Sequence, residues 1–167
     1  GVAGEYARIY SCADSASNPA QKAFTVTVVD DNPNGGPLTG QLGVLNLSAN
    51  GGINPVTGSV WQAGDQYRLA FVTSQGTQAT STNIASYNAF VDGLADDAGY
   101  NGIDWCVIGS TNLVAARDNT LTDPAVYGTG VAIFAMDGTT KIVDNYSDLW
   151  DGSLDAHISF DENGNSK

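Results

Sequence analysis

Basic residues are scarce in this chain of 167 residues. Six Lys and Arg stand against 18 Asp and Glu, which gives a formal net charge of −12. Binding to a phosphate backbone requires a surface of lysine and arginine, so this balance argues against a protein that binds nucleic acid or an anionic membrane. We therefore expect no nucleic acid among its partners.

Cysteine and histidine together are too few for a structural zinc site. The chain has two cysteines, Cys12 and Cys106, and one histidine, His157, whereas such a site takes four ligands of these types. The cysteines either form one disulfide bond or are two buried thiols. We expect the disulfide, which would close a loop of about 94 residues and stabilise the fold by up to about 5 kcal/mol in an exported protein.

Long apolar runs and a leader segment are also missing. No run approaches the ~18 apolar residues that a membrane-spanning helix requires, so the sequence predicts no transmembrane segment. The chain opens with Gly1 and has no initiator Met, which is typical of a processed mature protein or a trimmed chain. Together with the acidic, Ser/Thr/Asn-rich composition, this favours an extracellular or cell-surface location.

Residues that form turns and strands are plentiful. The chain contains 20 glycines, and only 14% of its residues are charged, a profile typical of strands and turns rather than of long charged helices. Its length suits one packed domain. We expect an α+β fold in which residues 1–167 form a single compact unit, with a β-rich N-terminal extension at residues 1–66.

Apolar and β-branched residues predict several strands. Residues 22–29 alternate Phe24, Val26 and Val28 with threonines, and residues 41–47 read as their hairpin partner. Further strands are predicted at residues 66–73, 103–108 and 131–136. The Asp137-Gly138 pair predicts a hairpin that leads to residues 141–143.

One segment has the period of an amphipathic helix. In residues 81–98 the apolar positions recur at spacings of three and four, and Gly99 follows. These positions are Ile84, Tyr87, Phe90, Val91, Leu94 and Ala98. A short helical turn near residues 112–117 has Ser110 or Thr111 as its possible cap. We expect residues 81–98 to be the main helix.

The best chemical motif is an acidic loop that starts at Asp30. Asp30, Asn32 and Asn34 alternate, and Gly35 stands at the sixth place, as in a calcium-binding loop. The twelfth position is Gln41, where an EF-hand has a bidentate glutamate. We take calcium bound by Asp30, Asn32 and Asn34 as one interpretation and a polar hairpin loop as the other. A second acidic turn starts at Asp161, but the chain ends before a twelfth position.

Catalytic signatures are weak. A nucleophile triad would have to use His157, whose neighbours show no nucleophile elbow. The glycine pairs lack the lysine of a phosphate-binding loop. A carboxylate pair for glycoside hydrolysis stays open, because sequence does not measure the distance between two carboxyls. We expect no enzyme.

The aromatic residues allow two interpretations. Trp61, Trp105, Trp150, Tyr127 and Tyr146 either stack against sugars or belong to the core. Their apolar neighbours favour the core for most of them.

The order of motifs in the second half resembles a known family. Phe71-Val72-Thr73-Ser74 precedes a helix ending in Ala95-Asp96-Asp97-Ala98-Gly99, and Trp105-Cys106-Val107-Ile108-Gly109-Ser110 follows. The order continues through Ala116-Arg117-Asp118-Asn119-Thr120, Val131-Ala132-Ile133-Phe134, Leu149-Trp150-Asp151-Gly152-Ser153 and Asp161-Glu162-Asn163-Gly164. It resembles the endostatin-like branch of the C-type-lectin-like fold, found in bacterial surface proteins and at the C-termini of some collagens.

This resemblance implies a C-type-lectin-like domain at residues 67–167. The zinc-binding histidines and heparin-binding arginines of animal endostatins have no counterpart here, nor do the calcium-bridged sugar motifs of C-type lectins. The family pattern runs on into another strand beyond the acidic turn, so we expect the domain to be truncated at its C-terminus or completed by a neighbouring element.

Two function classes remain. The first is an extracellular, non-catalytic recognition or adhesion module of lectin-like fold that binds a glycan or an extracellular protein. The second is a structural subunit of an extracellular filament or surface assembly, whose partners are copies of itself. Apolar strands that can pair along an edge favour the second class.

Overall fold

The computed structural model describes residues 40–167. The predicted strand at residues 22–29, the acidic loop at residues 30–35 and Cys12 lie outside the described residues. The described part contains both helices and small sheets, which confirms a mixed α+β class. Within it, no helix combines the length and the apolar character needed to cross a bilayer.

The described chain opens with two small hairpins. Strand β1 (Gln41–Leu42) pairs with β2 (Leu45–Asn46), and β3 (Ile53–Asn54) pairs with β4 (Ser59–Val60), both antiparallel. The prediction of one continuous strand at residues 41–47 was therefore wrong. Gly43 has a φ of +58°, a conformation that glycine adopts at no steric cost, so the chain turns there and the segment pairs with itself.

A three-stranded sheet forms the centre. Strand β5 (Tyr67–Ala70) lies parallel to β6 (Ala132–Ala135), which lies antiparallel to β7 (Lys141–Val143). All four residues of β6 are buried. Asp137 caps the turn between β6 and β7 by accepting hydrogen bonds from the backbone N–H groups of Thr139 (3.1 Å) and Thr140 (2.9 Å). The strands predicted around residues 66–73, 131–136 and 141–143 are confirmed.

Helix α1 (Ile84–Asp97) lies in the crossover between β5 and β6. It begins after Asn83, whose side chain accepts a hydrogen bond from the backbone N–H of Ala85 at 3.0 Å. Its buried residues are Ile84, Val91, Leu94 and Ala95. Gly99, with a φ of +97°, follows its C-terminus. The main predicted helix is therefore confirmed.

The remaining elements are a 3₁₀ turn (Ala49–Gly52) between the two small hairpins and three one-turn helices: α2 (Ala116–Asn119), α3 (Pro124–Tyr127) and α4 (Tyr146–Leu149). The hydroxyl of Ser110 accepts a hydrogen bond from the backbone N–H of Ala116 at 2.9 Å. The short helix after Ser110 therefore begins later than the sequence pattern predicted.

Residues 103–108 do not form the predicted strand. The backbone N–H of Trp105 donates to Asp92 Oδ1 at 2.9 Å, and that of Val107 donates to Asn88 Oδ1 at 3.0 Å. Asn88 and Asp92 lie one turn apart on α1. Because side chains of the helix satisfy alternate N–H groups, this segment docks on α1, and none of the described strands pairs with it.

Three apolar clusters hold these elements together. The first surrounds Trp61 and Phe134, the second surrounds Ile133 and Ile142, and the third packs α1 against Trp105. Leu69 of β5 packs against both the first and the third cluster, and Phe160 packs against both the second and the third. The clusters therefore form one continuous core around the sheet.

Candidate functional site

The carboxylate of Asp161 stabilises the acidic turn in which it lies. Asp161 is buried, and its Oδ1 accepts hydrogen bonds from the backbone N–H groups of Asn163 (3.0 Å) and Asn165 (2.9 Å). The ammonium of Lys167 lies 3.1 Å from its Oδ2. Burial raises the pKa of Asp161, but the hydrogen bonds from Asn165, Lys167 and Asn163 outweigh it and hold the pKa below its usual value. Both oxygens of this carboxylate therefore have partners at residues 163–167.

The neighbouring carboxylate, Glu162, connects this turn to the segment that follows β5. Its side chain is buried and accepts hydrogen bonds from the Ser74 hydroxyl and, at 2.9 Å, from the Ser74 backbone N–H. The backbone N–H of Val72 also donates to the carbonyl of Phe160 at 3.0 Å. These contacts explain both acidic side chains without a bound cation.

A second acidic cluster lies beside β7. Oxygens of Asp144, Asp148 and Asp155 all lie within 4.8 Å of one another. Lys141 forms ion pairs with Asp144 and, at 2.7 Å, with Asp155. Burial lowers the pKa of Lys141, but these two carboxylates outweigh it and raise the pKa above its usual value. The lysine ammonium thus already pairs with two of the three carboxylates of this cluster.

The single histidine, His157, lies on the surface near Ser159. His157 is exposed, and the nearby Ser159 donates its hydroxyl to the His157 carbonyl at 3.5 Å rather than to the imidazole ring. The geometry of a serine nucleophile bound to its base is therefore not formed by this pair.

The predicted site residues fall in two groups. Asp30, Asn32, Asn34 and Cys12 lie outside the described residues, so the calcium site stays a prediction. Cys106 is disulfide-bonded. Cys12 is the only other cysteine of the chain, and its pairing with Cys106 stays a prediction.

Cys106 lies in an apolar groove that we call the edge groove. Its walls are residues 69–73, which comprise the end of β5 and its continuation, and residues 105–108, and Val91 and Ile158 also line it. It encloses about 340 Å³. Apart from the disulfide-bonded Cys106, the described residues that line it carry no ionisable side chain.

A shallower concavity, the Trp150 depression, adjoins the edge groove at Ile108 and Ile158. It has a volume of about 250 Å³ and is otherwise lined by residues 149, 150 and 152–154. Trp150 donates its indole N–H to the carbonyl and the hydroxyl of Thr122 at 3.1 and 3.0 Å. The Arg117 guanidinium lies 5.5 Å from the centre of the Trp150 ring. The ring is therefore fixed from two sides.

The aromatic residues divide as the sequence suggested. Trp61, Trp105 and Tyr146 are buried, which confirms the core interpretation for them. Tyr127 is exposed and Trp150 is half-buried. The sequence reasoning missed Ile108 and Leu154, which are 44% and 40% exposed and line the depression. The available signal was single large aliphatic residues within a polar stretch such as residues 151–155.

Comparison with known proteins found no matching family model, no matching curated protein and no matching solved structure.

Proposed function

We propose that this chain is an extracellular, non-catalytic recognition or adhesion module whose contact surface is the Trp150 depression. The observation that carries the proposal is the depression itself, where a half-buried tryptophan held by Thr122 and Arg117 stands beside the exposed Leu154. Tryptophan and arginine are the residue types most enriched at binding hot spots. A fixed ring loses little conformational entropy on binding.

The lining of the depression favours one partner chemistry. Ile108, Leu149, Leu154 and Ile158 are aliphatic, and they match an apolar side chain better than the hydroxyl-rich face of a sugar. Ser153 supplies a polar group at the rim. An extracellular protein is therefore our first choice of partner and a glycan the second.

The absence of catalysis is part of this proposal. Catalysis near neutral pH needs an acid, a base or a nucleophile set in a concavity. In the described residues, the linings of the edge groove and the Trp150 depression contain neither carboxylate nor imidazole. The buried carboxylates Asp161 and Glu162 are already used by backbone and side-chain donors. These observations favour binding over turnover.

We also propose that residues 67–167 adopt the endostatin-like variant of the C-type-lectin-like fold. What supports this is the order of motifs, together with a described order of β5, α1, the docked segment at residues 103–108 and the β6–β7 hairpin. An extracellular location is supported by the disulfide-bonded Cys106, because disulfides persist in oxidising compartments.

The second candidate function is a structural subunit of an extracellular assembly. Among the described strands, β5 has a partner on one side only. An edge strand can pair with a strand of another copy. This candidate predicts filaments or layers in the native material.

A matched pair of variants tests the recognition proposal. Wild type, Leu154→Asp and Leu113→Asp are screened on a glycan array and on a panel of immobilised extracellular proteins. Leu113 is 77% exposed and lines neither concavity. We expect binding by wild type and Leu113→Asp, and at least a tenfold loss for Leu154→Asp, because a charge would enter the apolar contact.

Electron microscopy and sedimentation of the native material distinguish the alternatives. Ordered fibres without any binding signal would favour the structural subunit instead. Turnover of a substrate would overturn both candidates.

A further inference from the structure

A small polar pocket, which we call the hairpin pocket, lies beside the β3–β4 hairpin. It is lined by Asn54, Val56 and Thr57 of the hairpin, by residues 64–66 just before β5, and by Val131 just before β6. Its volume is about 170 Å³, which is below the ~300–1,000 Å³ of sites for drug-sized ligands. It shares no lining residue with the edge groove or the Trp150 depression, so it is a separate feature of the surface.

Asn54 has one polar atom in this pocket without a partner from the described chain. The residue is only 3% exposed. Its Oδ1 accepts a hydrogen bond from the backbone N–H of Val56 at 3.0 Å, and its carbonyl accepts from that of Gly58 at 2.9 Å. Because an N–H donates only to the oxygen of an amide, the remaining side-chain atom is the nitrogen, Nδ2. No described residue accepts a hydrogen bond from Nδ2. Buried amide groups are nearly always paired, so this nitrogen takes its partner from whatever fills the pocket.

Asp65 and Thr57 supply groups of complementary type. Asp65 is half-buried, and its Oδ2 accepts a hydrogen bond from the Gln62 N–H at 2.9 Å, whereas no described residue donates to its Oδ1. The Thr57 hydroxyl accepts from the Ser59 N–H at 3.3 Å, which leaves its own hydrogen to donate. The pocket therefore combines an amide donor, a carboxylate acceptor and a hydroxyl.

This set of groups selects for a neutral ligand that both donates and accepts. An anion would accept from Asn54 Nδ2, but the Asp65 carboxylate would repel it. An ammonium would pair with Asp65, but it has no lone pair to accept from Nδ2. A hydroxyl can accept from the amide and donate to the carboxylate. Two neighbouring hydroxyls on one ring can serve both groups at once, with the C–H face of the ring against Val56 and Val131.

We propose that the hairpin pocket binds one neutral sugar unit, whose hydroxyls accept from Asn54 Nδ2 and donate to Asp65 Oδ1. A peptide amide also offers one donor and one acceptor, but a sugar ring has further hydroxyls for Thr57 and Gln66. The small volume of the pocket suits a single ring. The proposal concerns a different surface from the Trp150 depression and does not depend on the proposed function.

Nuclear magnetic resonance titration of the full, isotope-labelled chain tests the proposal directly. The probes are glucose, galactose, mannose and N-acetylglucosamine. At least one of them should shift the side-chain NH₂ signals of Asn54 in a saturable way, together with the backbone signals of residues 64–66. No shift of the Asn54 NH₂ signals by any of these sugars would overturn the proposal. Shifts confined to residues 149–154 would place the sugar at the Trp150 depression and would overturn it as well.

Two variants reverse the hydrogen-bonding character of the pocket and keep the internal hydrogen bonds. Asn54→Asp retains an oxygen for the Val56 N–H but replaces the donor with a charged oxygen, and Asp65→Asn retains an oxygen for the Gln62 N–H but adds a donor. Each should weaken sugar binding at least about tenfold, because a ligand hydroxyl then meets a group of the wrong type. Asp65→Asn buries no new charge, so it remains informative if Asn54→Asp is unstable. Unchanged affinity in Asp65→Asn would contradict the proposal.

Asn101→Asp and Asp97→Asn are the matched controls. They make the same two chemical changes at exposed residues that do not line the pocket, so both should bind the sugar as the wild type does. An equal loss in the controls would show that binding follows net charge and would overturn the assignment to this pocket.

Two further measurements separate the competing occupants and sites. N-methylacetamide serves as a probe for a peptide amide, and the sugar assignment would be wrong if it shifted the Asn54 signals at lower concentration than every sugar. On the glycan array, binding that is lost in Asn54→Asp and retained in Leu154→Asp would support the hairpin pocket. The reverse result would support the Trp150 depression and contradict the hairpin pocket.

Discussion

Asn88 on α1 and Asn119 at the end of α2 bind each other through both of their side-chain amides. Asn88 Nδ2 donates to Asn119 Oδ1 at 2.9 Å, and Asn119 Nδ2 donates to Asn88 Oδ1 at 2.8 Å. The same two side chains also hold Val107, because its N–H donates to Asn88 and its carbonyl accepts from Asn119 at 2.8 Å. One amide pair therefore joins α1, α2 and a wall of the edge groove.

Replacing Asn88 with Ala should lower the free energy of unfolding by about 3 kcal/mol. The substitution removes three hydrogen bonds and leaves Val107 N–H and the buried Asn119 amide without these partners. Chemical denaturation measures the change. Asn101→Ala, which removes an exposed amide, should stay within about 0.5 kcal/mol. Equal effects of the two variants would contradict this role of Asn88.

The Asn88→Ala/Asn119→Ala double variant tests the coupling. We expect it to cost less than the sum of the two single substitutions, since both remove one shared network. Additive losses would show that the two side chains act independently.

Asp92 should make stability fall as pH rises in the acidic range. Burial raises the pKa of Asp92 above its ordinary value of 3.8, and although the Trp105 N–H opposes this, Asp96 and Asp104 add to it. The folded protein therefore holds this proton more tightly than the unfolded chain does. The contribution of Asp92 is fully present below 3.8 and is lost as pH rises through the raised pKa.

Comparison with Asp92→Asn isolates this effect. The asparagine keeps an oxygen that accepts from Trp105 N–H but does not titrate. The unfolding free energy of wild type minus that of the variant should decrease as pH rises through this window and stay constant above it. Asp97→Asn, an exposed change of the same charge on the same helix, serves as the control. The same trend in both differences would refute the assignment to Asp92.

Gly138 should tolerate no side chain. Its φ is +70°, and a Cβ there would overlap the carbonyl oxygen of Val44 in the β1–β2 turn. The carbonyl of Gly138 accepts a hydrogen bond from the Asn46 N–H at 2.8 Å. The β6–β7 turn and the β1–β2 hairpin are therefore in direct contact. We expect Gly138→Ala to lower the free energy of unfolding by about 3 kcal/mol or more.

Gly51→Ala is the matched control for Gly138. Gly51 has a similar φ, +77°, but nothing lies within 4 Å of an added Cβ. Its substitution should cost about 1 kcal/mol from backbone strain alone. Thermal unfolding of both variants separates strain from overlap, and equal costs would mean that the hairpin contact is unimportant.

Calcium should raise Tm if Asp30, Asn32 and Asn34 bind it. A ligand that binds only the folded state adds RT ln(1 + [L]/Kd) to its stability. Asp30→Ala should abolish the rise. Asp148→Asn, in the acidic cluster beside Lys141, should keep it. A calcium response that survives Asp30→Ala would rule out this loop, and loss of the response in Asp148→Asn would point to the other cluster.

Local patterns determined much of the described fold. Period-three and period-four spacing placed α1, because its apolar positions must lie on one face to be buried. The continuous apolar run at residues 131–136 and the Asp137-Gly138 turn placed β6 and β7. These elements are encoded by residues near one another in the chain, so a sequence pattern is enough to predict them.

Long-range contacts decided the rest. Residues 103–108 have the composition of a strand, yet Asn88 and Asp92 satisfy their N–H groups from a helix, which no local pattern shows. The acidic turn at Asp161 has the composition of a cation-binding loop, but in the folded chain Asn165 and Lys167 bind its carboxylate. The edge groove and the Trp150 depression each unite residues distant in sequence. The sequence by itself determined α1 and the β6–β7 hairpin, and the tertiary structure decided which donors meet which acceptors, because each buried polar group takes whatever partner packing brings within hydrogen-bond distance.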